Sequence, residues 1–375
     1  MASVPWGGSE ILWSSAATHL AESGHIVSAA YPKWTPTPAA LLNLALKHGV
    51  DVWEYKRGQR IAERAINRVS PRLATSSWLN TNLRWLKKAR PDLLCISSGN
   101  ATEGANWMRL AARMGIPFVT LAQAHVEFLW PSDEQAEELQ TLFGEARKSF
   151  FVSKGNLRLL ETQLGTKLRN IEVVSNYGSS LWGANLPWPR GTNGISQLAC
   201  VGRLHPASKG QDLLIEVMAQ PKWRGRPIKI SCYGVGPQSR NLKNLVDRAG
   251  LQEKITFHGH VSDIEEVWCN HHALVMPSRY EGLPLALVEA MLCGRTAIVT
   301  DVAGNAELLE DGVTGFIAEA PTVQHLDRAL EAAWRARNNW EAMGQAARTY
   351  VHQHLPKDPG AVFATKLIEL AEKPH

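Results

Sequence analysis

The most informative segment of the chain is Ala273-Leu-Val-Met-Pro-Ser-Arg-Tyr-Glu281-Gly-Leu-Pro-Leu-Ala-Leu-Val-Glu289-Ala-Met-Leu-Cys-Gly294. An apolar run to Met276 reads as a buried strand, and a loop follows it. Pro284 stands where a first helical position accepts a residue without an N–H. The helix then ends before Gly294, a suitable residue just past a helix end. A strand, a loop and a helix start of this kind leave unpaired N–H groups and the positive end of a dipole facing the loop, a site suited to phosphate. Gly282 lets a ligand approach the backbone closely.

Two carboxylates in such a loop repel a phosphate, and the conflict resolves if they face hydroxyls. A carboxylate accepts hydrogen bonds from vicinal hydroxyls at roughly 1.5–3 kcal/mol each. Glu281 lies in the loop, and Glu289 lies more than one turn into the helix, too deep merely to complement the dipole. They are placed to hold different ends of one ligand.

Upstream, Cys200-Val-Gly202-Arg203-Leu-His-Pro-Ala-Ser-Lys209-Gly210 repeats the theme, with a strand that ends in Gly-Arg and a Lys-Gly at a helix start. Arg203 as a planar fork and Lys209 as a point charge can together neutralise a diphosphate. They would also assist its departure, the work a divalent metal performs elsewhere.

Outward from these motifs, strand-like runs alternate with helix-like segments, the pattern of α/β folds with parallel sheets. In the first half the strands are Ile26–Ala30, Leu93–Ser97, Phe118–Ala122, Ser149–Val152 and Ile171–Val174, with helices at Glu10–Glu22 and Thr102–Met114. The second half restarts with strands Gln197–Val201, Ile228–Tyr233, Ile255–Phe257, Ala273–Met276 and Thr296–Thr300, interleaved with helices Gln211–Ala219 and Asn241–Ala249. Two doubly wound, Rossmann-like parallel sheets are expected, facing each other across a cleft at the carboxyl ends of their strands. Residues 1–176 form the N-terminal domain, 177–194 the linker and 195–357 the C-terminal, donor-binding domain. The helix within 358–375 returns to brace the first domain.

Composition supports a globular reading. Of 375 residues, 45% are hydrophobic and 20% charged, enough to bury two cores and too apolar for disorder. No apolar run reaches the ~18 residues that span a bilayer. Met1-Ala-Ser-Val-Pro-Trp6 lacks a basic region followed by an apolar stretch, so no secretory signal is expected and the cytoplasm is the expected address. Five cysteines are too few for a disulfide framework and read as small buried hydrophobes. Fourteen tryptophans fit either sugar stacking or core filling, the more frequent use.

The charge is uneven. Residues 56–90 hold ten basic residues and one acid, Glu63, a net +9 against −4 for the remainder. Such a segment fits an anionic membrane surface, at roughly 1 kcal/mol per basic residue, or a solvated helical face. No nucleic-acid motif accompanies it, and nucleic acid is not expected as a partner.

Read together, Gly202-Arg203…Lys209-Gly210, Tyr-Gly234-Val-Gly236-Pro, Phe-His-Gly259, Pro-Ser-Arg-Tyr-Glu281-Gly with Glu289 eight positions on, and Ala-Gly304-Asn-Ala-Glu307…Gly315-Phe resemble the retaining glycosyltransferases of family 4, within glycosyl transferases group 1. The resemblance is dense from Gln197 to Ile317. Further upstream Gly7-Gly8-Ser9-Glu10 resembles the family's glycine-rich loop. The resemblance implies the GT-B fold and hexosyl transfer from a nucleotide-diphosphate sugar to a glycan or lipid-linked acceptor. By position, Arg203 and Lys209 would bind the pyrophosphate and Glu289 the ribose hydroxyls. Glu281 with the backbone of Gly282 and Leu283 would hold the hexose. Gly259–Val261 would lie near the base, and Gly7, Gly8, Gly202, Gly234 and Gly236 would line the donor site. His125, after the Phe118–Ala122 strand, would stand near the donor sugar.

The family's mechanism would be retaining, with front-face substitution. No Asp-x-Asp pair is present, so no metal and no cofactor are expected. His258, His260, His271 and His272 lack the spacing of a zinc site. Only five residues precede Trp6-Gly7-Gly8, where the family has a full first strand, so a truncated or substituted first strand is expected. Two other readings stay open: a silent sugar-nucleotide-binding subunit of a polysaccharide or glycolipid assembly system, and a nucleotide-sugar epimerase. The expected location is cytoplasmic, peripheral on the inner membrane face if the basic segment binds lipid.

Overall fold

Strands buried on both faces carry near-continuous apolar runs, and the central strands of this chain follow that rule. The computed structural model of the protein describes residues 6–55, 81–190 and 192–373. In the second half β7 (Ser196–Val201), β8 (Ile228–Tyr233), β9 (Ile255–Gly259), β10 (Ala273–Met276), β11 (Thr296–Thr300) and β12 (Gly315–Ala318) form one parallel sheet in the order β12-β11-β10-β7-β8-β9. The first strand, β7, pairs with β8 on one side and β10 on the other. The chain therefore winds outward in both directions, and the crevice at the carboxyl ends of β7 and β10 is the topological switch point where ligands of such sheets bind.

Helices cover both faces of this sheet. One face is filled by helices Gln211–Met218, Ser239–Arg248 and Val323–Arg335 around the buried Trp223, and the other by Leu285–Leu292 and Trp340–His354. Each fully buried large side chain of this kind stabilises by about 1.5–3 kcal/mol. Arg295 is also fully buried, and its guanidinium donates to the carbonyls of Trp268 (2.8 Å) and Pro187 (2.7 Å), fastening the segment that leads into β7.

In the first half β3 (Leu94–Ser98), β4 (Phe118–Ala122), β5 (Lys148–Phe151) and β6 (Ile171–Val173) form a four-stranded parallel sheet. Helices Ala105–Met114, Asp133–Glu145 and Lys154–Leu164 pack on one face, and Ile11–Glu22 on the other. Helix Pro359–Ala371 lies beside Ile11–Glu22, where Phe363 meets Phe150 edge-on at 5.1 Å. Asp358 caps it by accepting from the Ala361 amide, and lies 3.0 Å from His19. The C-terminal helix thus completes the first half's core.

A separate two-stranded parallel sheet, β1 (Ser28–Pro32) with β2 (Asp51–Tyr55), stands beside the four-stranded one. Among the described residues no strand joins the two. Strand β2, the helix Ala39–His48 and the short β12 do not stand out in the sequence. Pro284 is the cap preceding helix Leu285–Leu292, with ψ 102°, and not its first residue, which corrects the expected helix start. Cys200, Cys232 and Cys293 are buried as expected, whereas Cys95 and Cys269 are half-buried. No described helix is long and apolar enough to cross a membrane.

Candidate functional site

The loops after β7, β8 and β9 stack against one another at the carboxyl edge of the second sheet. Gly202 donates to the Tyr233 carbonyl (2.9 Å), and Gly234 donates to the Gly259 carbonyl (2.6 Å). The stacking is tight because side chains are missing. A Cβ at Gly234 would lie 2.1 Å from the Gly202 oxygen, and one at Gly236 equally close to the Leu204 oxygen. These two glycines shape the loop that carries Arg203, and Val261 packs beyond them among the residues flanking the helix Leu285–Leu292 core.

Lys209 ends the short helix Pro206–Lys209, and Gly210, at φ 63°, turns the chain so sharply that its own backbone abuts Pro277. This turn brings Lys209 to Glu281. The ammonium lies 2.5 Å from Oε1 of Glu281, and the Ser278 hydroxyl donates to the same oxygen at 2.7 Å. Glu281 is buried, and the lysine stem lies along Gly202. Residues 72 positions apart in sequence thus meet at the switch point. Next to them Arg279 is held bidentately by Asp212 at 2.6 and 2.8 Å, which removes it from competition for a ligand.

Glu289 sits in the second turn of helix Leu285–Leu292, mostly buried, and no described residue donates to its carboxylate. Desolvation pushes its pKa from 4.5 up to about 7. A mostly buried acid to which no described residue donates fits the pattern of a functional carboxylate.

The two halves touch through backbone. A Cβ on Gly282 would lie 1.9 Å from the Gln123 carbonyl oxygen just past β4, and one on Gly155 would lie 2.5 Å from the Ala303 oxygen. Leu283 packs against the cores of both halves. Glu307 accepts from the amides of Lys154 (3.0 Å) and Gly155 (2.7 Å), capping a helix of the opposite half. Above them Gly8 lies against the Leu285 side chain, and its carbonyl accepts from Asn176 (3.0 Å), which also donates to Gln123 (2.7 Å). Glu10 closes the glycine loop by accepting from the Gly7 amide at 2.8 Å.

The structure therefore brings together Gly7, Gly8, Gly202, Arg203, Lys209, Glu281, Gly282, Leu283 and Glu289. It does not add His125. That residue is buried inside the first half, Nδ1 3.0 Å from the Asn100 amide oxygen and Nε2 2.9 Å from that of Gln163. Burial pushes its pKa down. The expectation of a histidine presented to the donor sugar is corrected to a histidine that fixes the loop after β4 from within. Gln123 and Asn176 escape the sequence reading, and Glu10 and Glu307 stand in its motifs without a role of their own. Only Glu10 and Glu307 carry a signal, each in a glycine-containing motif. The basic residues 56–80 lie outside the described residues.

A doubly wound parallel sheet with a second parallel sheet facing its switch point is the GT-B arrangement, and residues 193–350 match the family model "Glycosyl transferases group 1". That match lies within the C-terminal half of the chain. The chain is 35% identical over 133 residues to the alpha-D-kanosaminyltransferase of Streptomyces kanamyceticus, covering 35% of this chain and 34% of the relative. It is 29% identical over 165 residues to a GDP-mannose-dependent alpha-(1-6)-phosphatidylinositol monomannoside mannosyltransferase of Mycobacterium tuberculosis (strain H37Rv), covering 41% and 42%. The chain thus matches between about a third and two fifths of the length of these curated relatives. Solved structures extend the likeness to the whole fold. Alr3699/HepE of Anabaena in complex with UDP superimposes with TM-score 0.72 at 18% identity, covering 98% of both chains. A glycosyltransferase of Rickettsia africae superimposes with TM-score 0.76 at 16% identity, covering 99% and 97%.

Proposed function

We propose that the protein transfers a hexose, with retention and without a metal, from a nucleotide-diphosphate sugar to a hydroxyl of a glycan or lipid-linked acceptor. The observation that carries this reading is the Lys209–Glu281 pair at the N-terminal end of helix Leu285–Leu292. Each of these charges satisfies the other. A donor's diphosphate offers Lys209 a stronger partner, and the released Glu281 then faces the sugar hydroxyls. Arg203 on the adjacent loop shares the diphosphate charge, and the helix N-terminus receives one phosphate through its free amides. These fixed cations stabilise the leaving diphosphate, the term that metal-dependent enzymes assign to a divalent ion. Glu289, to which no described residue donates, takes the ribose hydroxyls.

Transfer or hydrolysis measured with a panel of UDP-, GDP- and ADP-sugars in EDTA tests this. One donor is expected to turn over, and Lys209→Ala, Arg203→Ala and Glu289→Ala are each expected to lower the rate roughly 100-fold or more. Binding without turnover would favour a silent sugar-nucleotide-binding subunit, and no binding of any donor would sink the assignment.

The proposed acceptor side is lipid-linked and the proposed location is the cytoplasmic face of a membrane, supported by the net +9 of residues 56–90. Sedimentation with vesicles is expected to show weak binding to anionic lipid that disappears in high salt. Equal binding to neutral vesicles would count against it.

A further inference from the structure

The connection from β4 to helix Asp133–Glu145 is fixed at both ends. At its start His125 is held between Asn100 and Gln163, and its amide donates to the Asn156 side chain at 3.0 Å. The Gln163 amide group also donates to the carbonyls of Val126 (3.0 Å) and Glu127 (3.2 Å). At its end Ser132 and Gln135 exchange bonds of 3.0 and 3.4 Å in a capping box. Between the two anchors stands Phe128-Leu129-Trp130. Phe128 is 71% exposed, Trp130 63%, and Leu129 is exposed as well. Scattered apolar residues on a surface need no explanation, but consecutive ones on a fixed turn mark a contact surface. Because the turn is already ordered, a ligand laid on it costs little further loss of freedom.

The place and the charge of this tip say what it contacts. Phe128 meets Tyr280 of the opposite half, ring centres 6.1 Å apart at 70°. Tyr280 directly precedes Glu281, the carboxylate paired with Lys209, so the tip borders the donor end of the cleft. Residues 127–146 hold six acids and no basic residue. Glu127, Asp133, Glu134 and Glu137 among them are exposed beside the tip. That flank repels an anionic bilayer, a phosphate or a uronate. A neutral pyranose meets no such penalty, and the C–H groups on its face suit the negative face of an aromatic ring.

We propose that Phe128 and Trp130 are the stacking surface for the acceptor, and that the acceptor presents an uncharged pyranose to them. The sugar lays its C–H face on the rings and turns a hydroxyl toward the hexose beside Glu281. This inference rests on the transfer reading given above and names the acceptor class for it. The acidic flank sets the selectivity, favouring neutral sugars over uronates and phosphorylated sugars. His125 and Gln163 act here as positioning residues, since they hold the base of the turn from inside the first half.

Saturation-transfer NMR from the aromatic protons of the full chain reads the contact without turnover. The probes are the methyl glycosides of glucose, galactose, mannose and N-acetylglucosamine, with methyl glucuronide as the anionic one. At least one neutral glycoside is expected to bind the parent, and the glucuronide about 10-fold more weakly. Phe128→Leu combined with Trp130→Leu keeps apolar area but removes the ring faces. It is expected to weaken the neutral glycoside about 10-fold with the melting temperature unchanged, whereas Phe128→Tyr with Trp130→Phe should bind within about twofold of the parent. Undiminished binding in the leucine variant would overturn the proposal, as would a parent that binds no neutral glycoside. Neutral phosphatidylcholine vesicles that bind the parent but not Phe128→Asp with Trp130→Asp, with no glycoside bound, would give the tip to a bilayer instead. Absent turnover of every nucleotide sugar would sink the transfer reading alone, because the saturation readout needs no donor.

Discussion

Alanine at position 282 is expected to lower donor turnover roughly 100-fold while leaving each half folded. The added methyl would lie 1.9 Å from the Gln123 carbonyl oxygen and 3.1 Å from Val152, both in the opposite half. Neither core has to be disturbed to relieve that overlap, because the two halves can part. Parting them withdraws Leu283 from the first half's core and loosens the contacts of Glu307 with the Lys154 and Gly155 amides. The Gly7–Gly8 loop would then no longer lie over Leu285, and a displacement on the order of 1 Å is enough for the loss of rate. Small-angle scattering should show a larger radius of gyration with little change in thermal stability. Gly210→Ala is the contrast. Its overlap with the Pro277 oxygen, at 1.8 Å and φ 63°, lies within one half and should instead lower the melting temperature. A Gly282→Ala protein with unaltered rate and dimensions would show that the closed contact has no part in turnover.

The second sheet is the more legible part of the chain because its central strands are buried on both faces. Ile228–Tyr233, Ala273–Met276 and Thr296–Thr300 are read from the sequence with the bounds they have in the structure. Strand β2 escapes because Asp51 and Glu54 interrupt its apolar pattern at a half-exposed position, and β12 because four residues carry too little period. Helices Asp133–Glu145 and Lys154–Leu164 present narrow apolar stripes in largely polar sequence. Among the site residues, the motifs identify Lys209 and Glu281 separately, but only the Gly210 turn joins them. His125 meets a related limit. The sequence puts it just past a strand end, and the side to which its ring turns is set by Asn100 and Gln163, 25 and 38 positions away.

The second large effect concerns Glu289, where stability and binding pull apart. Its folded-state pKa of about 7 stands above the ordinary 4.5, so the protonated form is favoured by folding. The stability linked to that proton is fully present below about pH 4.5 and is lost as pH rises through 7. Because solvent reaches part of the group, the loss is about 2 kcal/mol, less than the full shift would imply. Glu289→Gln keeps the shape and abolishes the titration. It should therefore be about 2 kcal/mol more stable than the parent at pH 8 and indistinguishable from it near pH 4.5, as denaturant unfolding across that range would show. Donor binding should move the other way. Ribose hydroxyls favour the carboxylate, so affinity in the parent should climb from pH 5.5 to 8 with release of a proton. The glutamine variant should bind about 10-fold to 100-fold more weakly at pH 8, without that slope. Parallel stability profiles for the two proteins would place the titrating proton elsewhere. A parent affinity that does not vary with pH would remove Glu289 from the donor contact. If both effects appear, the acid is kept in the core against its own desolvation because the donor supplies the hydrogen bonds that no described residue gives it.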